Sequence, residues 1–167
     1  LAILGFGIFS STTFVRYRKQ KIKTKELQDA EMERQNAELE EAREFQQSLL
    51  PDKMPVSDNY EIIGFQKTAT EVGGDYFDFI NDDSGRIIAI CGDATGHGLT
   101  SGNVVAITKT ALSSIQLDNP ISILDTLNKT LLRMNIGLNR MCLNIADISK
   151  DKITFSSAGM PPAYFYS

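Results

Sequence analysis

The chain has 167 residues, of which 42% are hydrophobic and 23% are charged, and its formal net charge at pH 7 is -4. This length and composition suit one modest globular domain with an extension, and no low-complexity tract indicates disorder. The acidic balance, with no basic patch in the part predicted to fold, gives no reason to expect nucleic acid as a partner.

The first 15 residues are apolar or small and carry no charge, and a basic segment without acids follows at positions 16–25. A complete membrane span needs about 20 residues, and the sequence does not begin with Met. We therefore interpret residues 1–15 as the inner end of a transmembrane helix. By the positive-inside rule, the rest of the chain is then cytoplasmic. A short buried or amphipathic helix is the alternative.

A long helix is predicted next, because residues 19–50 contain no Gly or Pro and are rich in helix formers. Pro51 and Pro55 end it. We therefore predict a juxtamembrane and linker segment over residues 16–50 and a globular domain over residues 51–167. Some helix positions alternate three and four apart, which predicts a weak parallel coiled coil and a homodimer. A solvated linker without a partner helix is the alternative. The seam positions are Met32, Gln35, Leu39, Ala42, Gln46 and Leu49.

Two acidic segments flanked by glycine follow, at residues 73–78 (GGDYFD) and 92–98 (GDATGHG). Between them, residues 76–80 and 86–91 are typical of strands, and the turn-forming residues 81–85 (NDDSG) join them into a hairpin. A register centred on Ser84 places Asp75 opposite Asp93, with Cβ atoms about 4.5–5.5 Å apart. The same face then carries an apolar set that can pack against a core, namely Phe77, Phe79, Ile87, Ala89 and Cys91.

Two facing carboxylates repel each other unless a positive charge lies between them, and oxygen ligands of this kind suit a hard cation such as Mg²⁺ or Mn²⁺. The glycines allow the backbone to approach closely and allow loop carbonyls to turn inward. The pattern therefore predicts a metal site at Asp75 and Asp93. Ordinary strand-end acids beside turn glycines are the alternative interpretation.

The remainder of the chain predicts two helices followed by strands. Residues 100–115 form the first helix, and Asn119 and Pro120 begin the second. Strands are predicted at residues 141–148 and 152–156, and another begins at residues 163–166. This order favours an α+β layered domain. The two cysteines, Cys91 and Cys142, are too few for a disulfide framework and are predicted to be buried thiols in a reducing compartment.

Four ordered motifs carry a family resemblance: residues 44–51 (EFQQSLLP), 71–78 (EVGGDYFD), 92–98 (GDATGHG) and 157–162 (SAGMPP). From about residue 42 onward the chain resembles the PPM-type serine/threonine phosphatase domain of stage II sporulation protein E-like, sigma-factor-regulating phosphatases. The resemblance implies a layered αββα sandwich of antiparallel sheets. It also implies two Mn²⁺ or Mg²⁺ ions that activate water for attack on phosphoserine or phosphothreonine.

By position, the resemblance implies that Asp75 and Asp93 are metal ligands and that Ala94 contributes its backbone carbonyl. His97 is the only histidine, and it could protonate the leaving serine oxygen or position a water, since its unperturbed pKa is about 6.5. A structural loop histidine is the alternative. Asp78 lies on the opposite strand face and is predicted to be either structural or an acid that contacts a metal ligand without binding the metal itself. Glu71 is a weaker candidate for contact with a metal-bound water.

The chain departs from the family pattern at Met160, where many relatives carry histidine. Relatives also continue into an Asp-Gly segment that supplies a further metal ligand, so residues 51–167 are expected to be the first part of a truncated domain that is inactive alone. The expected function is the effector of a membrane-anchored bacterial signalling protein. It would dephosphorylate a phosphoserine regulatory protein of the anti-sigma antagonist type.

Two other classes of function remain open. One is a catalytically inactive phosphatase-like binding or signalling module, and the other is a linker and dimerisation segment of a membrane receptor. A nucleotide site is less favoured, because no glycine-rich loop carries the Lys of a phosphate-binding loop.

Overall fold

The computed structural model describes residues 2–67, 73–82, 84–116 and 118–166, with side chains described from residue 13. The chain divides into two compact units, Leu1–Glu40 and Glu41–Ser167. Helix α1 (Ala2–Ser48) accounts for the described part of the first unit, and its last turns belong to the second. The predicted helix over residues 19–50 is therefore confirmed, with an earlier start.

Within the part of the chain that the structure describes, no helix has a stretch long and apolar enough to cross a membrane. The side chains of residues 1–12 lie outside the described set. The interpretation of residues 1–15 as the inner end of a membrane span thus gains no support here and stays a prediction.

The C-terminal end of α1 departs from the predicted coiled-coil seam. Gln46 is only 7% exposed, and Leu49 packs against the hydrophobic core of the second unit. A seam residue must instead face a partner helix. The predicted seam is therefore wrong at these two positions, whereas Met32 and Leu39 in the first unit are 61% and 38% exposed.

The second unit contains one antiparallel sheet in the strand order β1-β2-β3-β4. Its strands are β1 (Asp75–Asn81), β2 (Ile87–Ala94), β3 (Met141–Ser149) and β4 (Lys152–Ala158), and helices α2 (Leu99–Ser114) and α3 (Pro120–Arg133) connect β2 to β3. The two helices and the four strands predicted up to residue 156 are confirmed. The start of α3 is fixed as expected: the Asn119 side chain accepts a hydrogen bond of 3.0 Å from the backbone N–H of Ser122.

The core lies between one face of the sheet and helices α2 and α3. Side chains alternate along each strand, so the buried set from β1 and β2 is the one that faces the helices. Phe77 and Ala89 share the opposite face as predicted, but they are only partly buried. Of the predicted apolar set, Ile87 is buried, Phe79 is partly buried and Cys91 is exposed. The main core of the described residues therefore lies on the face opposite to the predicted one. The sheet and helix residues that form it are Tyr76, Ile88, Ile90, Leu143, Ile145, Val104, Val105, Leu112, Ile123 and Leu127.

The described residues thus supply one sheet and one helical layer of the predicted αββα sandwich. The strand predicted at residues 163–166 is absent from this part of the chain. Tyr164, Phe165 and Tyr166 are each more than 90% exposed, and no described strand pairs with them. A strand exists only through a hydrogen-bonded neighbour, so an apolar, aromatic pattern alone was insufficient there.

A buried carboxylate ties α2 to β1. Asp78 is 3% exposed, and its Oδ2 accepts hydrogen bonds from the Tyr76 hydroxyl at 2.7 Å and from the Lys109 ammonium at 2.5 Å. Its Oδ1 accepts the backbone N–H of Phe79 at 2.9 Å. Burial, followed by the adjacent Asp78 charge, raises the pKa of Tyr76, so the phenol stays a donor. This geometry fits the structural role predicted for Asp78.

Replacing Lys109 with Ala should lower the free energy of unfolding by about 3 kcal/mol, because Asp78 would remain buried without its counter-ion. The control is Lys129→Ala. Lys129 pairs with Asp125 at 2.5 Å, but both side chains are more than half exposed, so its loss should cost less than about 1 kcal/mol. Urea denaturation followed by circular dichroism measures both. Equal losses of unfolding free energy in the two variants would contradict a stabilising role for the buried Asp78–Lys109 ion pair.

Candidate functional site

The hairpin register brings the two predicted metal ligands face to face. Asp75 of β1 and Asp93 of β2 are direct antiparallel partners, as the sequence predicted. Cross-strand partners have side chains on the same face of the sheet. The pair lies at the end of the hairpin away from its turn, so the two carboxylates sit side by side where β1 begins and β2 ends.

The turn that sets this register is held by Asp82. Its Oδ1 accepts backbone N–H bonds from Ser84 at 2.9 Å and from Arg86 at 3.1 Å, and its own N–H donates to the Arg86 carbonyl at 3.1 Å. Gly85 takes a φ of 80°, which other residues rarely adopt. These bonds specify the number of residues in the turn, and hence which residues face each other.

The facing carboxylates of Asp75 and Asp93 concentrate negative charge at this end of the hairpin. Burial, and next the charge of Asp75, raise the pKa of Asp93. Burial and the same Asp75 charge also raise the pKa of the Cys91 thiol, which lies on that strand face. Cys91 is exposed, so its predicted burial is wrong, while Cys142 is half-buried. A site of this kind favours a cation.

Gly74 lets the backbone of the predicted ligand loop come close. A Cβ at this position would lie 2.3 Å from the Ala94 carbonyl oxygen and 2.8 Å from Asp93 Oδ1. The Ala94 N–H also donates to the Gly74 carbonyl at 2.9 Å. Two oxygens of the predicted ligand set therefore converge on a space that any side chain at position 74 would fill.

The loop after Ala94 is braced by the segment that precedes β3. The Thr95 N–H donates to the Arg140 carbonyl at 2.9 Å, and the Thr95 hydroxyl accepts the Arg140 N–H at 2.8 Å. Gly96 and Gly98 then turn the chain with φ values of 91° and 72°. His97 is exposed between them. It does not line the cavity beside the carboxylates, so the structure does not bring it together with Asp75 and Asp93 in one pocket.

A cavity of about 370 Å³ opens beside the carboxylate pair. Asp75 and Asp93 form part of its wall, and Lys67 contributes a cation. The remaining wall is mostly apolar, and it includes Met160, the residue that departs from the family pattern. The other lining residues are Phe65, Gln66, Tyr76, Phe77, Cys91, Gly92 and Pro161.

Gln46 belongs to this site, although the sequence pattern had assigned it to the coiled-coil seam. Its Oε1 accepts the backbone N–H of Gly73 at 2.9 Å, and its Nε2 donates to the Gly73 carbonyl. One helix side chain thus satisfies both backbone groups of the residue that leads into β1. The only sequence feature that could have indicated this role is the position of Gln46 shortly before the apolar pair Leu49 and Leu50, where the helix reaches the domain. Glu71, the weaker candidate, lies outside the described residues.

The donor set fits a hard divalent cation. Mg²⁺ is usually held by one or two carboxylates together with waters and substrate oxygens. Asp75, Asp93 and the Ala94 carbonyl match that requirement. Among the described residues, no cluster of three or more His, Cys, Asp or Glu side chains is arranged to hold a metal.

Replacing either Asp75 or Asp93 with Asn should weaken Mn²⁺ binding by more than about tenfold, because each change removes one anionic ligand. Asp151→Asn makes the same charge change in the exposed turn between β3 and β4 and should leave the affinity unaltered. Isothermal titration calorimetry compares the three variants with the wild type. Unchanged affinity in both Asp75→Asn and Asp93→Asn would contradict the site.

Mn²⁺ affinity should also fall on acidification, beginning at a higher pH than for an ordinary aspartate pair. A ligand carboxylate must be deprotonated, and the raised pKa of Asp93 means that protons already compete above its usual pKa of about 3.9. Calorimetry between about pH 4 and pH 7 measures the decline. An affinity that stays flat until the pH reaches the ordinary aspartate value would argue against it.

Comparison with known proteins adds independent findings. The profile of the family described as Stage II sporulation protein E (SpoIIE) matches residues 83–167. The phosphoserine phosphatase RsbU of Bacillus subtilis (strain 168) is 29% identical over 136 residues, or 78% of this chain. The phosphoserine phosphatase RsbP of the same organism is 27% identical over 135 residues, or 75% of this chain.

A solved structure shares the fold. The SiaA-PP2C domain of Pseudomonas aeruginosa superposes with a TM-score of 0.64 at 17% identity, over 76% of this chain and 55% of that domain chain. This likeness supports a PP2C-like α+β fold with an antiparallel sheet. The chain spans 40% of the length of RsbU and 33% of the length of RsbP.

Proposed function

The chain belongs to the stage II sporulation protein E (SpoIIE) family of PPM-type phosphatase domains, and on this premise we propose that it is part of a metal-dependent protein serine/threonine phosphatase. The observation that carries the proposal is the facing pair of Asp75 and Asp93 with the Ala94 carbonyl beside it. The relatives RsbU and RsbP are phosphoserine phosphatases by name. Phosphoserine is accordingly the proposed substrate group.

In the proposed reaction, Asp75, Asp93 and the Ala94 carbonyl would contribute ligands to a site for two Mn²⁺ or Mg²⁺ ions. Bound ions of this kind acidify water, bind phosphoryl oxygens and neutralise charge on the leaving oxygen. His97 lies three residues beyond Ala94 and is exposed in the glycine-flanked loop, outside the lining of the cavity beside the carboxylates, and imidazole side chains commonly serve as general acids. We propose that it donates the proton to the departing serine oxygen.

The proposed partner is a phosphorylated regulatory protein of the anti-sigma antagonist type, which the family resemblance favours. We also propose membrane attachment through residues 1–15 and a cytoplasmic phosphatase domain. The basic segment at residues 16–25 supports this orientation by the positive-inside rule.

The full-length protein that carries this sequence should release phosphate from a phosphoserine protein only when Mn²⁺ or Mg²⁺ is present. Asp93→Asn should reduce kcat by more than about a hundredfold, since even the loss of an outer partner of a metal ligand costs about 10–100-fold. Asp151→Asn is the matched control and should keep full activity. A wild-type protein that binds Mn²⁺ but hydrolyses nothing would favour the inactive binding module instead.

We further propose that the first unit pairs with a second copy in parallel. Met32 and Leu39 are apolar, exposed and one heptad apart, which suits such a seam. In a full-length protein lacking Cys91 and Cys142, Leu39→Cys should cross-link to a second copy under mild oxidation. Ala37→Cys lies off the seam and should cross-link far less. Monomers in both variants would contradict the dimer.

A further inference from the structure

Lys67 is a cation at the candidate site that the proposed chemistry has not used. It lines the cavity of about 370 Å³ together with Asp75 and Asp93. The neighbouring Gln66 donates from Nε2 to the Asp75 carbonyl at 3.1 Å, which holds the segment before Lys67 against the start of β1. The hydrogen bond between Gln66 and Asp75 therefore positions the adjacent Lys67 at the cavity.

Lys67 does not neutralise the carboxylates directly. Among the residues that the structure describes, no ion pair within 4.0 Å involves its ammonium group. Lys67 and the two carboxylates thus line the same cavity without forming an ion pair with each other. A dianion is repelled by carboxylates alone, but it can share its oxygens between a cation such as Lys67 and the metal ions that Asp75 and Asp93 would hold.

The rest of the cavity suits a peptide side chain. Its apolar wall includes Phe65, Phe77, Met160 and Pro161. The Asn144 side chain donates to the Pro161 carbonyl at 3.1 Å, which anchors the segment at Pro161 to β3. Pockets of about 300–1,000 Å³ with mostly apolar walls and a few polar groups are typical of ligand sites.

We propose that this cavity is the phosphoserine pocket, in which Lys67 binds the phosphoryl group and the apolar wall receives a neighbouring apolar side chain of the substrate protein. The inference rests on the proposed phosphatase function and adds the group that recognises the phosphate. The competing explanation is that Lys67 only offsets the charge of the carboxylate pair. That explanation predicts an effect of Lys67 on metal affinity and none on phosphate affinity.

The test compares the full-length wild type with Lys67→Ala, Lys67→Arg and Lys152→Ala. Lys152 is an exposed cation at the far end of the sheet, so its removal matches the charge change. With Mg²⁺ saturating, calorimetry measures the binding of inorganic phosphate, and a separate titration measures Mg²⁺ itself. Lys67→Ala should weaken phosphate binding by about ten- to a hundredfold. Lys67→Arg should retain most of the affinity, and Lys152→Ala all of it.

Substrate kinetics provide the second readout. Lys67→Ala should raise KM for a phosphoserine protein and lower kcat/KM by a similar factor, while Mg²⁺ affinity stays the same. If the wild type hydrolyses the substrate and Lys67→Ala binds phosphate as the wild type does, this inference is overturned and the phosphatase proposal stands. If the wild type binds no divalent metal, the phosphatase proposal fails. If phosphate binding still depends on Lys67 in that case, the result would support Lys67 as a phosphate-binding residue without supporting phosphatase activity.

Discussion

The register of the β1–β2 hairpin is the constraint on which the rest of the second unit depends. A slip of one residue would send every side chain of β1 to the other face. Tyr76 would leave the core beneath α2, and Asp75 would lose its partner Asp93. Packing and the candidate site therefore require the same pairing. The bonds of Asp82 in the turn and the apolar face of the sheet act together to impose it.

One face of the sheet packs against the helices, and the other carries the candidate metal site. On the helical side, the buried Asp78 and Lys109 join β1 to α2 and stabilise the packing of that helix. On the other side, burial and then the charge of Asp75 raise the pKa of Asp93, so the paired carboxylates are in an unfavourable arrangement. Hydrogen bonds on either side of the hairpin help to hold this unfavourable arrangement in place: the Gln46 side chain accepts the Gly73 N–H, and the Arg140 N–H donates to the Thr95 hydroxyl. A metal ion is the natural complement of a site built in this way.

Much of the hairpin could be predicted because its signals are local. The turn residues and the glycine spacing decide which positions pair, and Asn119 followed by Pro120 marks a helix start in any context. The choice of core face could not be predicted, since Phe77 and Tyr76 are both aromatic and lie on opposite faces. Only the helices that cover one face decide between them. Gln46 was misassigned for a related reason: helical spacing does not reveal which side of a helix meets the domain.

The central claim is that a divalent cation binds between β1 and β2, and paramagnetic broadening by Mn²⁺ in amide NMR spectra tests it most directly. At substoichiometric Mn²⁺, the account predicts that signals broaden first around Asp75 and around Asp93 and Ala94. Signals from the exposed turn at Asp151 and from the glutamate-rich part of α1 should stay sharp. Broadening that begins in α1 or at the turn, with the signals of Asp75 and Asp93 unaffected, would contradict the account.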